Sequence, residues 1–147
     1  MKANELMAGD WVLIKRTPSC EYPYKICSIN NYSILGEEYA DWIEVEAGEE
    51  INLEEIKPIP LTAEILEKNG WKKEFDKKSY MTFYNLEDEK YWLMWCISEH
   101  TLDIQRQNKT LLDQYNLCAE RAVIACEYVH ELQHALKLCG IDKEIVL

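Results

Sequence analysis

Residues 127–140, EYVHELQHALKLCG, constrain the fold more than any other stretch of the chain. On a helix each residue turns by about 100°. Val129, Leu132, Ala135, Leu136 and Cys139 then fall in one arc, with Tyr128 at its edge, and form a core-facing stripe. His130, Gln133, His134 and Lys137 share the opposite, polar arc, with Glu127 beside them. Gly140 follows the last periodic residue, where a C-terminal glycine cap belongs. The pattern predicts a helix whose two histidines point away from the face it buries.

The same helix contains His130-Glu131-Leu132-Gln133-His134. Histidines at i and i+4 share a helix face and can grip one zinc ion, with the intervening Glu as general base for a bound water. Taken that way, His130 and His134 would be metal ligands and Glu131 the base of a zinc-dependent hydrolase. Three features weigh against it. A catalytic zinc needs a third protein ligand, and the downstream candidates, Asp142 and Glu144, lie very close to the helix end. Lys137 falls one turn past His134 on the same arc and would set a cation beside the metal. Three fixed positions in five residues also arise often by chance on helices rich in Glu and His. The expected reading is two solvated histidines on an amphipathic helix, with no metal, no cofactor and no assigned catalytic or binding residue. The zinc hydrolase is the alternative.

With 147 residues, 48% of them apolar, the chain suffices for one ordinary domain or two small ones with a real core. No apolar run approaches the length of a membrane span. The opening Met1-Lys2-Ala3-Asn4-Glu5-Leu6 carries a charge and an amide where an export signal needs an apolar region. A cytoplasmic location is therefore expected. None of the six cysteines, at 20, 27, 96, 118, 126 and 139, forms a close C-x-x-C pair, so reduced and mostly buried thiols are expected.

The formal net charge is −11. Phosphate neutralisation needs a basic surface, so direct nucleic-acid binding is disfavoured and a protein partner is expected instead. No Lys or Arg occurs between Lys25 and Lys57, a segment rich in Glu. A solvated, solubilising face explains this most simply. A sharper version is an acidic decoy that captures a basic partner.

Taken in order, residues 1–60 read as short strands and turns. Gly9-Asp10 is a turn signal, and Trp11-Val12-Leu13-Ile14-Lys15 is a strand-sized run. Residues 24–29 alternate as a half-buried strand. Asn30-Asn31 is a turn candidate, and further short runs lie at 32–35, 42–46 and 51–56. Such spacing predicts a small, closed or nearly closed β-barrel. Lys57-Pro58-Ile59-Pro60-Leu61 is an extended, hydrogen-bond-poor joint, which places the domains at 1–60 and 61–147. Thr62 is an N-cap candidate for a short helix over 63–69, closed by Gly70. Residues 80–84, the run 91–97 (apolar on both faces, as suits a central strand) and 102–105 predict an antiparallel meander. Residues 108–116 have no period and read as a loop or an extra turn of helix. Residues 120–126, ERAVIAC, suit a strand entering the last helix or the start of that helix, and the strand is preferred. The expected fold class is α+β: a small N-terminal β-barrel, then an antiparallel sheet packed by two helices.

Five Trp and nine Tyr are present, and an aromatic cluster on the barrel could cage a cation or stack a base. Aromatics at alternating strand positions more often form core. His100, beside Glu99 at a strand end, reads as an exposed turn residue.

Three stretches carry a resemblance: Lys2-Ala3-Asn4-Glu5-Leu6 with Gly9-Asp10-Trp11-Val12; Lys57-Pro58-Ile59-Pro60-Leu61-Thr62 before a short helix ending at Asn69-Gly70-Trp71; and Tyr128-Val129-His130-Glu131-Leu132-Gln133. Together they resemble a family of short, uncharacterised proteins of gut Bacteroidetes, often associated with prophage or mobile elements. The resemblance implies no activity. In that family the Leu-Gln pair is usually followed by Asn, where this chain has His134, so it implies that the second histidine is a departure rather than a shared ligand. The function expected from all this is a non-enzymatic, cytoplasmic protein-interaction module.

Overall fold

A computed structural model describes residues 5–17, 20–30, 33–34, 37–38, 42–45, 50–107 and 121–147. The expected turn at Asn31 and loop at 108–116 lie outside these residues, as do Cys118 and most side chains of the acidic segment. The chain is a sheet-rich α+β protein that divides into two compact units. One comprises Met1–Pro60 with Tyr128–His130, the other Leu61–Glu127 with Glu131–Leu147.

In the first unit, β1 (Trp11–Thr17) pairs antiparallel with β2 (Cys20–Asn30) and with β7 (Ile56–Pro58). β2 pairs on with β5 (Trp42–Val45), and β5 with β6 (Glu50–Asn52), giving the order β6-β5-β2-β1-β7. A two-residue ladder joins β3 (Ser33–Ile34) to β4 (Glu37–Glu38). β2 serves two ladders in turn: residues 20–25 face β1, and residues 26–30 face β5 after a register shift between Ile26 and Ser28. A strand that changes ladder at a bulge turns a corner in its sheet. Pro23 sits in the first half of β2, where among the described residues only β1 is hydrogen-bonded to it, so its missing N–H costs no ladder bond on the open side.

The core of this unit follows the pleat. Val12 and Ile14 of β1 point inward with Ile26, Val45, Ile51 and Ile56, and Leu6 closes the cluster. The turn that leads into β1 is fixed by buried Asp10, whose carboxylate accepts the Met7 N–H at 2.8 Å. The described ladders make an open order that ends at β6 and β7. The proline joint differs from expectation in being hydrogen-bonded. Pro58 lies within β7, an edge strand that tolerates proline, and the Ile59 carbonyl accepts the Val129 N–H at 2.9 Å.

The second unit opens with α1 (Ala63–Lys68). Thr62 caps it, its Oγ1 accepting the Ile65 N–H. At the other end the Gly70 N–H bonds to the Glu67 carbonyl and the Trp71 N–H to the Leu66 carbonyl. These two bonds define a Schellman motif, which needs a left-handed residue after the cap, and Gly70 supplies it at φ 81°. Strands β8 (Lys72–Asp76), β9 (Met81–Glu87), β10 (Tyr91–Cys96), β11 (Thr101–Arg106) and β12 (Arg121–Ala125) follow as an antiparallel meander, in the order β12-β11-β10-β9-β8. β10 is the central strand, as its two apolar faces predict. Tyr84, Leu93, Trp95 and Leu102 share one sheet face by register and are all buried. α1 is tied to that face where the Tyr84 hydroxyl donates to Glu67 Oε1 at 3.2 Å.

α2 (Val129–Leu138) buries Val129, Leu132, Ala135 and Leu136, the predicted stripe, and ends in a second Schellman motif at Gly140. Residues 141–147 form no strand, yet Ile145 is buried. Asn69 holds this segment: its Nδ2 donates to the Val146 carbonyl at 2.8 Å and to the Ile65 carbonyl at 2.8 Å, while its Oδ1 accepts the Val146 N–H at 2.9 Å. The side chain imitates a strand partner.

Asn69→Ala is expected to destabilise the protein by about 2 kcal/mol, because it leaves the Val146 N–H and carbonyl without their partner. A lower urea midpoint at unchanged slope, with faster exchange at the Val146 amide, checks this. Unchanged Val146 exchange would show that the tail is held by other means.

Candidate functional site

The helix string comes first. Glu131 is the third residue of α2, and its Oε2 accepts the Glu127 N–H at 2.7 Å. That is the reach-back half of a capping box, displaced by one residue, and it sets a carboxylate where the helix dipole favours one. His130 does not lie on a solvated arc. It is only 5% exposed, and its ring stacks on Tyr128 at 5.9 Å and 12° between planes. His134 is half-buried, and Lys137 is exposed. The expectation of two solvated histidines is thus corrected for His130. Pro60 bridges to Tyr128, just ahead of the helix. Asp142 and Glu144 are exposed, and among the described residues no group of three His, Cys, Asp or Glu side chains is placed to hold a metal ion.

The thiols divide by environment. Cys126 is buried, and that burial, helped by the Glu131 charge, pushes its thiol up to about 12. It is therefore a neutral core group at neutral pH. Cys96 is also buried, while Cys20 and Cys27 are exposed, against the expectation of mostly buried thiols. All five described cysteines are free. His100 is exposed in the β10–β11 turn, as predicted, and its ring packs edge-on against Trp95 at 5.9 Å.

On the sheet face opposite Trp95, a groove of about 590 Å³ is lined by Lys72, Glu74, Asn85, Glu87 and Trp92, with Gly70 at one end. Asn85 Nδ2 donates to Glu74 Oε2 at 2.6 Å, and Asn85 Oδ1 is buried with no protein donor. The groove is wide and of mixed sign. Two strands away on the same face, Asp103 is 5% exposed and is gripped by Arg121, whose Nε lies 3.0 Å from both carboxylate oxygens and whose second nitrogen lies 2.7 Å from Oδ2. Gln105 adds a bond at 3.2 Å. A buried carboxylate needs such pairing. The pair pins the start of β12 to β11.

β12 itself is exposed at all five positions, Val123 to 56% and Ile124 to 38%. Among the described residues its only ladder is with β11. The other edge of the sheet, β8, reads Lys72-Lys73-Glu74-Phe75-Asp76, a charged sequence that resists pairing. β12 has no such protection between Ala122 and Ala125. Sequence reasoning found the strand but not its exposure; the absence of charge from 122 to 126 was the available signal. No family model, no curated protein and no solved structure matches the chain.

Two outcomes are expected. At pH 8, iodoacetamide should label Cys20 and Cys27 quickly and leave Cys96 and Cys126 intact until unfolding, read by peptide mass spectrometry; fast labelling of Cys126 in folded protein would contradict its burial. Arg121→Leu should destabilise the fold by roughly 2 kcal/mol by stranding the Asp103 carboxylate, and the added change Asp103→Asn should restore part of that loss in urea titrations.

Proposed function

We propose that the chain is a non-enzymatic protein-interaction module that works in the cytoplasm and travels with prophage or other mobile elements. The observation that carries this reading is β12, an exposed edge strand with no charge past Arg121, on a sheet whose other edge is charged. An edge strand presents a row of main-chain donors and acceptors to an incoming strand, and natural sheets normally blunt such edges. Main-chain pairing supplies affinity, and the alternating side chains supply selectivity. A protein strand is therefore the chemistry that fits, and the net charge of −11 disfavours direct nucleic-acid contact. No helix among the described residues is long and apolar enough to cross a membrane.

The finer architecture belongs to the same proposal. Residues 1–60 are taken as a small barrel-like domain and 61–147 as an α+β domain. The bulged corner of β2 supports closure, since it is the device by which a sheet turns on itself.

The string at His130–His134 supports a zinc hydrolase less well. Glu131 is engaged in capping, and the described residues provide no third ligand. Near-stoichiometric zinc in protein purified without chelators, lost in His134→Asn, would overturn the module reading.

A photo-crosslinking residue placed at Val123 in the full chain, expressed in the host cell, tests the module directly. It is expected to trap a discrete protein product, while the same probe at Lys73 on the opposite edge traps none. Equal trapping at both edges, or none at either, would sink the reading.

A further inference from the structure

We propose that β12 docks with β12 of a second copy of the chain, antiparallel, about a two-fold axis through Val123. This rests on the interaction-module reading and names the partner strand.

The strand is suited to pairing with itself. In a two-fold antiparallel ladder the same patch meets itself, so each residue must tolerate its mirror position. Centred on Val123, the register sets Val123 against Val123, Ala122 against Ile124, and Arg121 against Ala125 of the other copy. No like charges fall opposite one another, and small or β-branched residues meet across the ladder. Val123, on the open sheet face, and Ile124, on the other, would each lose exposed apolar surface.

Charge points the same way. The strand begins at Arg121, whose side chain stays 60% exposed despite its pair with Asp103. The register sets it against Ala125, so no two cations meet across the ladder. Two copies of a chain with a net charge of −11 repel in general. They approach with least repulsion where neither bears acid, and residues 121–126 contain no Asp or Glu. The contact is small. A five-residue ladder falls short of the ~1,200 Å² of a standard interface, so a dimer that dissociates in the micromolar range is expected.

The symmetric register gives a strict test. Sedimentation of the full chain up to roughly 100 µM, well above that range, should show wild-type mass rising toward twice the monomer. Amides 121–125 should exchange more slowly as protein concentration rises, a readout that needs no variant. Val123→Lys and Val123→Glu, at an exposed site, should keep the native circular-dichroism spectrum and weaken association more than tenfold, because each sets like charges face to face. Mixed in equal amounts, the two variants should associate again, since Lys then faces Glu. Wild-type protein that stays monomeric overturns the proposal, as does a dimer indifferent to either variant or a mixture that fails to recover. A monomeric wild type whose Val123 probe still traps a different protein would remove the self-pairing alone and leave the interaction module standing. A monomer that traps nothing would remove both.

Discussion

Trp95 carries the constraint on which the second unit depends. It lies on the central strand, 1% exposed, and its indole N–H must find an acceptor inside the core. It finds the Cys126 carbonyl at 2.8 Å. That bond holds the chain where it leaves β12 and before it enters α2. The Cys126 N–H is held in turn by the His100 carbonyl at 2.8 Å, and the His100 ring lies against Trp95. One residue on, the Glu127 N–H is taken by Glu131 and its carbonyl accepts the Leu61 N–H at 2.8 Å. Four successive polar demands between the last strand and the last helix are met by specific partners. An indole in a fixed place, rather than apolar bulk alone, decides where the helix begins.

Patterns that depend on one layer of neighbours were legible in the sequence. The stripe of Val129, Leu132, Ala135 and Leu136, the Thr62 cap, the glycine stops at 70 and 140 and the central position of β10 follow from local chemistry. They need no knowledge of what the element packs against. The predicted meander starts only at residue 80 and does not single out β8, because Lys72-Lys73-Glu74-Phe75-Asp76 lacks the apolar alternation of a half-buried strand; as a charged edge it has no need of it. The His130 environment was not legible for the opposite reason. A helical wheel assigns one wet arc, but residues 128–130 cluster with the first unit, where the Pro60–Tyr128 bridge and the Ile59–Val129 bond cover the helix start. The hold of Asn69 on Val146 was equally hidden, since it joins residues 77 apart in the chain.

The His130–His134 string shows how little a motif says without its surroundings. Its catalytic reading requires an imidazole pair open to one ion and a free carboxylate beside a bound water. Here two of its three members have other work in the fold. His130 stacks on Tyr128 inside a covered turn, and Glu131 is spent on a backbone N–H. Cys126, the nearest thiol to this turn in sequence, is pushed up to about 12 by its burial and the adjacent Glu131 charge, so the neighbourhood favours neutral groups over nucleophiles. The chemistry of the turn is that of a helix start.

What remains conspicuous is a strand that breaks the rule its own sheet obeys. β8 shields one edge with two lysines and two acids, whereas β12 leaves Ala122, Val123, Ile124 and Ala125 uncovered. The bidentate grip of Arg121 on Asp103 keeps that strand in register at its start, and the Trp95–Cys126 bond fixes the chain just past its end. An edge held at both ends is presented rather than frayed, and a strand that is ordered in advance spends less conformational entropy when another strand joins it. A highly acidic chain loses little solubility by carrying one short neutral edge, because its charge elsewhere keeps copies dispersed. A strand-to-strand contact between copies meets less repulsion where acid is missing, as it is over residues 121–126.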